Sequence, residues 1–241
     1  MLSILKKELK TFFSNAIAYI VIGIFLLLNG LLLWVIPGEY NVLDNGYANV
    51  DGLFYLAPWL FLLLCPAITM RFFAEEKQTG TWELLVTKPV SKAGIVFGKF
   101  LAGWILVIIS LLPTVIYYFT VYYIAEPLGN IDSGQFWGSF IGLLFLSGIY
   151  TSVGTFASSL TNNQIVSFVI ALVLSFFLFY GFDVAASFTN SANMTDFLGN
   201  LGINFHYKSM SRGVIDSRDI AYFMVVSTVF IVLTIRQIRN K

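Results

Sequence analysis

The chain has 241 residues, of which 58% are hydrophobic and only 11% charged, against about 25% charged in a soluble domain. Its net charge of +1 leaves no basic stripe to neutralise phosphates, which excludes nucleic acid as a partner. The single cysteine, Cys65, excludes an internal disulfide or a cysteine metal cluster, and its apolar neighbours mark it as a small buried hydrophobe.

The first element is predicted to be an amphipathic helix within residues 1–15. Leu2, Leu5, Leu9, Phe12 and Phe13 recur at three- and four-residue spacing, with Lys6, Lys7 and Lys10 largely on the other side. Such a helix lies in the membrane interface, apolar side in lipid and lysines among headgroups. A basic tail that only sets topology is the alternative. Six apolar runs follow, near residues 16–36, 53–73, 95–124, 136–156, 165–182 and 220–235. The first would cover about 31 Å, enough for a bilayer core. It ends in Ile36-Pro37-Gly38-Glu39 with no small-residue cleavage pattern, so it reads as an uncleaved anchor rather than a signal peptide. Five spans remain the alternative if the short sixth run fails. The fold class expected is an all-α polytopic membrane protein in one transmembrane domain over 1–241. It has six spans, an amino-terminal interfacial helix and a short helix in the 74–94 segment.

Charge placement orients the bundle. With the amino terminus inside, the inner segments hold Lys6, Lys7, Lys10, Arg71, Lys77, Lys88, Lys92, Lys99, Arg236, Arg239 and Lys241, eleven of the fourteen cations. Only Lys208, Arg212 and Arg218 fall outside. That asymmetry follows the positive-inside rule, and both termini are expected in the cytoplasm. Lys99, at the start of the third run, is expected to snorkel to the headgroups.

No catalytic site is expected. His206, the lone histidine, has no cysteine or carboxylate cluster at ligand spacing and reads as structural or solvated. Residues 94–100, GIVFGKF, echo a nucleotide-binding P-loop but have three residues between the glycines and Phe100 where magnesium needs a hydroxyl. Gly94, Gly98 and Ala102 read better as a small face for close helix approach, as do Gly138 and Gly142, and Gly154 with Ser158. Pro66 and Pro113 should kink the second and third spans. The polar residues within the spans, such as Asn29, Ser110, Thr151 and Ser175, are neutral, which disfavours an ion-coupled carrier.

The stretch RFFAEEKQTGTWELLVTKPVSKAGIVFGK, residues 71–99, carries the most functional information. Thr79 or Thr81 can cap a helix containing Trp82, Glu83, Leu84 and Leu85, and Pro89 stops it after about two turns. A helix that short needs support. Trp82, Leu85 and Val86 can pack inward or grip a partner, with Glu83 free for a cation on that partner. A solvated connector is the alternative.

This run resembles the cytoplasmic coupling loop of ABC-2-type transporter permeases. In that family an acidic pair, Gly-Thr, Glu-Leu-Leu, Pro and a later Lys recur in this order after the second span. They fall here on Glu75, Glu76, Gly80, Thr81, Glu83, Leu84, Leu85, Pro89 and Lys99. The resemblance extends over the whole chain, including residues 205–223 near the end. More narrowly, the chain resembles permease subunits of gliding-motility-associated ABC transporters. What the resemblance implies is a transport subunit of a bacterial inner membrane without a nucleotide-binding domain of its own. Its partners would be a separate ABC ATPase, a second permease subunit (identical or different) and membrane lipid. No cofactor is expected in this chain, since ATP and magnesium belong to the ATPase. The ATPase would dock on residues 74–94, with Trp82, Glu83 and Leu85 as anchors. The family places short helices that re-enter the membrane between spans five and six; the polarity of Asn190, Asn193, Asp196 and Asn200 argues against deep re-entry here. A membrane scaffold that anchors an ATPase without transport, and an ion-coupled secondary carrier, are the rival readings.

The orientation has a direct check. Cysteines introduced as Asn45→Cys and Ser133→Cys should react with an impermeant maleimide in intact cells, and Gln78→Cys should not. Labelling at position 78 would reverse the assigned topology.

Overall fold

The computed structural model describes residues 1–44, 46–87, 90–189 and 191–239. All regular structure among them is helical. The order is α1 (Leu2–Phe13), α2 (Ala16–Gly30), α3 (Asp51–Thr69), α4 (Arg71–Gln78), α5 (Thr81–Val86), α6 (Lys92–Leu111) and α7 (Val115–Ile124). Then come α8 (Ser133–Leu160), α9 (Gln164–Phe176), α10 (Phe182–Ser187), α11 (Ala192–Leu201), α12 (Ile203–Met210) and α13 (Ser217–Arg239). Short π and 3₁₀ turns extend α2, join α6 to α7 and join α9 to α10. Six of the resulting helices are long and apolar enough to cross a membrane: Ala16–Val35, Asp51–Gln78, Lys92–Ile124, Ser133–Leu160, Gln164–Ser187 and Ser217–Arg239.

Local chemistry sets the starts. Asn15, Ser91, Asp132 and Asn163 each accept a hydrogen bond from a backbone N–H in the first turn of α2, α6, α8 and α9. Pro113 sits in the 3₁₀ turn Leu112–Thr114, where the third span changes from α6 to α7. The second span holds two prolines, Pro58 and Pro66, and the first of these has no counterpart in the sequence reading. Past Pro66 the helix continues to Thr69, turns at Met70 and resumes as α4. Residues up to Gln78 are therefore a helical extension of the second span rather than loop.

Helix α8 is the axis of the bundle. It packs against α3, α6, α9, α12 and α13, and its small residues let those backbones approach. Gly154 faces Thr69 so closely that a Cβ would collide with the threonine side chain. Four residues on, Ser158 Oγ accepts from the backbone N–H groups of Phe73 at 2.9 Å and Ala74 at 3.1 Å and donates to Met70 O at 3.0 Å. One α8 hydroxyl thus caps the start of α4, where four N–H groups have no partner within the helix. Trp104 Nε1 ties α6 to α8 by donating to Leu144 O and Ser147 Oγ. Most other hydroxyls in the spans bond back to their own helix, as Ser110 does to Leu106 O and Thr155 to Thr151 O. Peripheral helices α2, α9 and α13 turn Ile20, Ile24, Val169, Val173, Val225 and Val229 outward, the surface expected against acyl chains.

Both ends of the chain lie at one end of the bundle, where Lys92 Nζ donates to Ile238 O at 3.1 Å. At the far end, α12 is inserted between α3 and α8. Ile203 and Met210 are fully buried, Tyr207 nearly so, and Tyr207 Oη donates to Phe54 O at 2.8 Å. A Cβ on Gly138 would come within 2.7 Å of Gly213 Cα, and one on Gly142 within 3.3 Å of the Tyr207 ring. The glycine face of α8 therefore receives α12, not another span. Gly142 is nine residues into α8, so α12 reaches roughly 13 Å along it. Of the polar residues noted in the sequence, Asn193, Asp196 and Asn200 belong to α11, which is mostly exposed, and Asn190 lies outside the described residues, while α12 turns Ile203, Tyr207 and Met210 into the bundle.

His206 has a carboxylate partner that its sequence neighbourhood did not reveal. Its Nδ1 lies 2.7 Å from Asp219 Oδ1, Nε2 lies 2.9 Å from Asn200 O, and the ring stacks on Tyr222. It joins α11, α12 and α13, a structural role.

Filling the α8 face should unseat α12. Gly142→Leu is expected to lose about 1–3 kcal/mol by overpacking, read as a lower thermal unfolding midpoint of the detergent-solubilised protein. An unchanged midpoint would mean the Tyr207 contact contributes nothing.

Candidate functional site

The residues singled out from sequence meet at the end of the bundle that holds both termini. Here α1, α4, α5 and the start of α6 enclose a groove of about 400 Å³, lined by Glu8, Phe12, Arg71, Glu75, Thr79 and Leu84 among others. Its floor is ionic. Lys99, about two turns into α6, is 1% exposed. Its ammonium lies 2.7 Å from Glu8 Oε1, 2.9 Å from Glu76 Oε1 and 2.7 Å from Phe72 O. Three protons meet three acceptors, and the Phe73 ring centroid lies 5.2 Å away. Lys99 does not snorkel, because carboxylates from α1 and α4 supply inside the protein what headgroups would supply outside. Lys7 adds a second cation, 2.7 Å from Glu76 Oε1 and 3.7 Å from Glu8 Oε1. Partial burial lowers the Lys7 pKa, but the hydrogen bond to Glu76 and the two carboxylate charges outweigh it, and the net shift is upward. Glu76 Oε2 is buried with no protein partner.

Helix α1 is held by this cluster and by packing. Ile4 is buried against Gly98, where an added Cβ would lie 3.0 Å from the Ile4 side chain. Leu9, Phe12 and Phe13 pack on the protein core. Ile4 and the half-buried Leu9, Phe12 and Phe13 thus turn toward protein, while Leu2 stays 69% exposed. Gly98 serves close approach, to α1. Gly94 does not: its nearest neighbours are Ser91 and Val90, and its N–H is the one Ser91 caps.

Beyond the cluster the chain reverses at Gly80, whose φ of +72° is the left-handed conformation that glycine adopts without strain. The two threonines that could cap α5 instead close α4: Thr79 Oγ1 donates to Glu75 O at 2.8 Å and Thr81 Oγ1 to Glu76 O at 3.3 Å. Glu75 pairs with Arg71 across one turn at 2.8 Å. Lys77 Nζ bonds Ser159 O on α8. Helix α5 is six residues long and leans on α4 through Trp82, which meets Phe73 edge-on at 5.7 Å, and through buried Leu85. These are two of the three anchors expected to reach a partner. They face inward because six residues need tertiary support. Glu83 is exposed, and Leu84, 66% exposed, is an open apolar side chain at the rim of the groove. Pro89 and the Val86 side chain lie outside the described residues.

A bundle with six helices long and apolar enough to cross a membrane belongs to the class of polytopic all-helical membrane proteins. The family is specific: residues 35–235 match the ABC-2 family transporter proteins, and the chain belongs to that family. No curated protein matches it. The protein is therefore a multi-pass transporter permease subunit, of a family that typically partners with an ABC ATPase.

The ionic floor can be tested by removing its centre. Lys99→Met leaves the buried Glu8 and Glu76 to share the half-exposed Lys7 and should cost about 3 kcal/mol, the low end for breaking a buried pair. Adding Glu8→Gln and Glu76→Gln should recover most of that loss, since the buried charges go with it. Thermal unfolding of the single and triple variants distinguishes a charge-pairing role from a packing role, which the triple variant would not rescue.

Proposed function

We propose that the protein is the membrane subunit of an exporter whose separate ATPase docks on α5, with both termini and this helix on the cytoplasmic side of a bacterial inner membrane. The observation that carries this reading is the outward Glu83–Leu84 pair on a helix backed by Trp82, Leu85 and the buried Lys99 cluster. An apolar side chain standing out beside a lone carboxylate fits a partner groove with an apolar pocket and a basic rim. The cation excess at the same end supports the orientation. A second permease subunit would complete the pore, as implied by the family resemblance. The narrower likeness to gliding-motility permeases supports a role in that process.

Of the anchors the sequence suggested, Glu83 stays in this docking pair and Leu84 joins it. Leu84→Asp should cut recovery of the partner ATPase by roughly thirtyfold, the effect of losing about 2 kcal/mol at an interface centre. Glu83→Lys should weaken recovery less, and Trp82→Ala should act by loosening α5 from α4. Pull-down normalised to permease in the membrane reads the first effect, and ATP turnover in liposomes reads coupling. Undiminished recovery with Leu84→Asp would remove α5 as the docking element, and recovery without stimulated turnover would favour a scaffold.

A further inference from the structure

At the far end of the bundle a cavity of about 260 Å³ lies between α3 and α12. Gln135 and Ser139 of α8 and Phe179 of the π turn after α9 close it. It is smaller than the roughly 300–1,000 Å³ of pockets for drug-sized ligands, so it suits a small group. Asp51, Tyr55 and Trp59, four residues apart, form the α3 wall, and Tyr207 and Lys208 stand on α12. Trp59 lies 5.6 Å edge-on from Phe179 and 5.7 Å from Tyr180, so the walls are mostly aromatic.

Only two of its lining residues are charged, and they have opposite sign: Asp51 and Lys208. Neither forms an ion pair among the described residues, and their charged atoms stay more than 4.0 Å apart. Asp51 Oδ1 accepts from Gln135 Nε2 at 3.0 Å, which leaves Oδ2 for another donor. Asp132 shares a small adjoining cleft with Asp51 and adds negative charge on that side. A lone anion here would meet Asp51, a lone cation would meet Lys208, and a neutral group would leave both without a partner.

We propose that this cavity holds a zwitterion whose ammonium and phosphate are a few bonds apart. The ammonium lies against Asp51 and beside Tyr55, one turn further along α3, where a cation gains from both the carboxylate and the ring quadrupole. The phosphate lies against Lys208. Two sources share this chemistry: the headgroup of phosphatidylethanolamine, and a free phosphoethanolamine ester. Tyr55 and Trp59 also reach the surface of the bundle, 64% and 43% exposed, so a lipid can enter from the side.

The full chain, in nanodiscs of phosphatidylethanolamine or phosphatidylglycerol with matched acyl chains, is released into native mass spectrometry and its retained lipids are counted. The ethanolamine lipid should be retained about tenfold over the glycerol lipid, as expected for one charge-assisted contact. Asp51→Asn keeps the acceptor for Gln135 and should abolish the preference, while Lys208→Gln should lower retention of both lipids. Displacement by added glycerophosphoethanolamine assigns the site to the free zwitterion, and resistance to it assigns the site to the lipid headgroup. Equal retention of the two lipids by the wild type, or an undiminished preference in Asp51→Asn, would overturn the proposal. The readout does not depend on whether an ATPase docks at the opposite end.

Discussion

The Lys99 ammonium, buried among Glu8, Glu76 and the Phe72 carbonyl, is the interaction on which the termini-bearing end depends. Charge inside a membrane protein is costly unless paired and hydrogen-bonded. Here the cost is met by bringing three elements together. α6 supplies the cation, α1 one carboxylate and α4 the other, so the one ammonium ties the three helices together. Lys7 closes the same cluster from its open side. Helix α5, too short to hold itself, is set on the platform that results.

A second constraint runs along α8. Its glycines and hydroxyls admit other backbones at both ends, α12 at Gly138 and Gly142, and the α3–α4 junction at Gly154 and Ser158. The Ser158 cap stands in for a local capping residue at the start of α4, which follows directly from the second span. Without it, that turn would leave buried N–H groups unpaired.

Much of this was readable in the residues. The apolar runs, the Pro113 break and a short helix around Glu83 all follow from local pattern, which acts over a few residues. The site was readable only in part. Lys99 and Glu76 stood out through family resemblance, but Glu8 is 91 positions from Lys99 and no local rule joins them. Its one signal was being the sole acidic residue in a helix with three lysines. The His206–Asp219 contact and the Ser158 cap were hidden for the same reason of sequence distance. Insertion of α12 was missed because polarity was averaged across residues 183–219, mixing the exposed α11 with a neighbour that buries one face. Within α5, the inward turn of Trp82 and Leu85 depends on where Phe73 sits, which spacing alone does not give.

The second span and its extension form one helix from Asp51 to Gln78, 28 residues and about 42 Å long. Such a rod acts as a beam with a load point at each end: Glu76 in the ionic platform, and Asp51, Tyr55 and Trp59 in the far cavity. A rigid tilt of about 5° about its middle displaces each end by roughly 2 Å, comparable to the distance between a made and a broken hydrogen bond. Pro58 and Pro66 each remove a rung of its hydrogen-bond ladder and set where it can flex instead. The stiffness between those points decides how much of a push on α5 arrives at the other face. Reciprocity then requires that whatever wedges into the cavity push back on α5 with the same coupling energy.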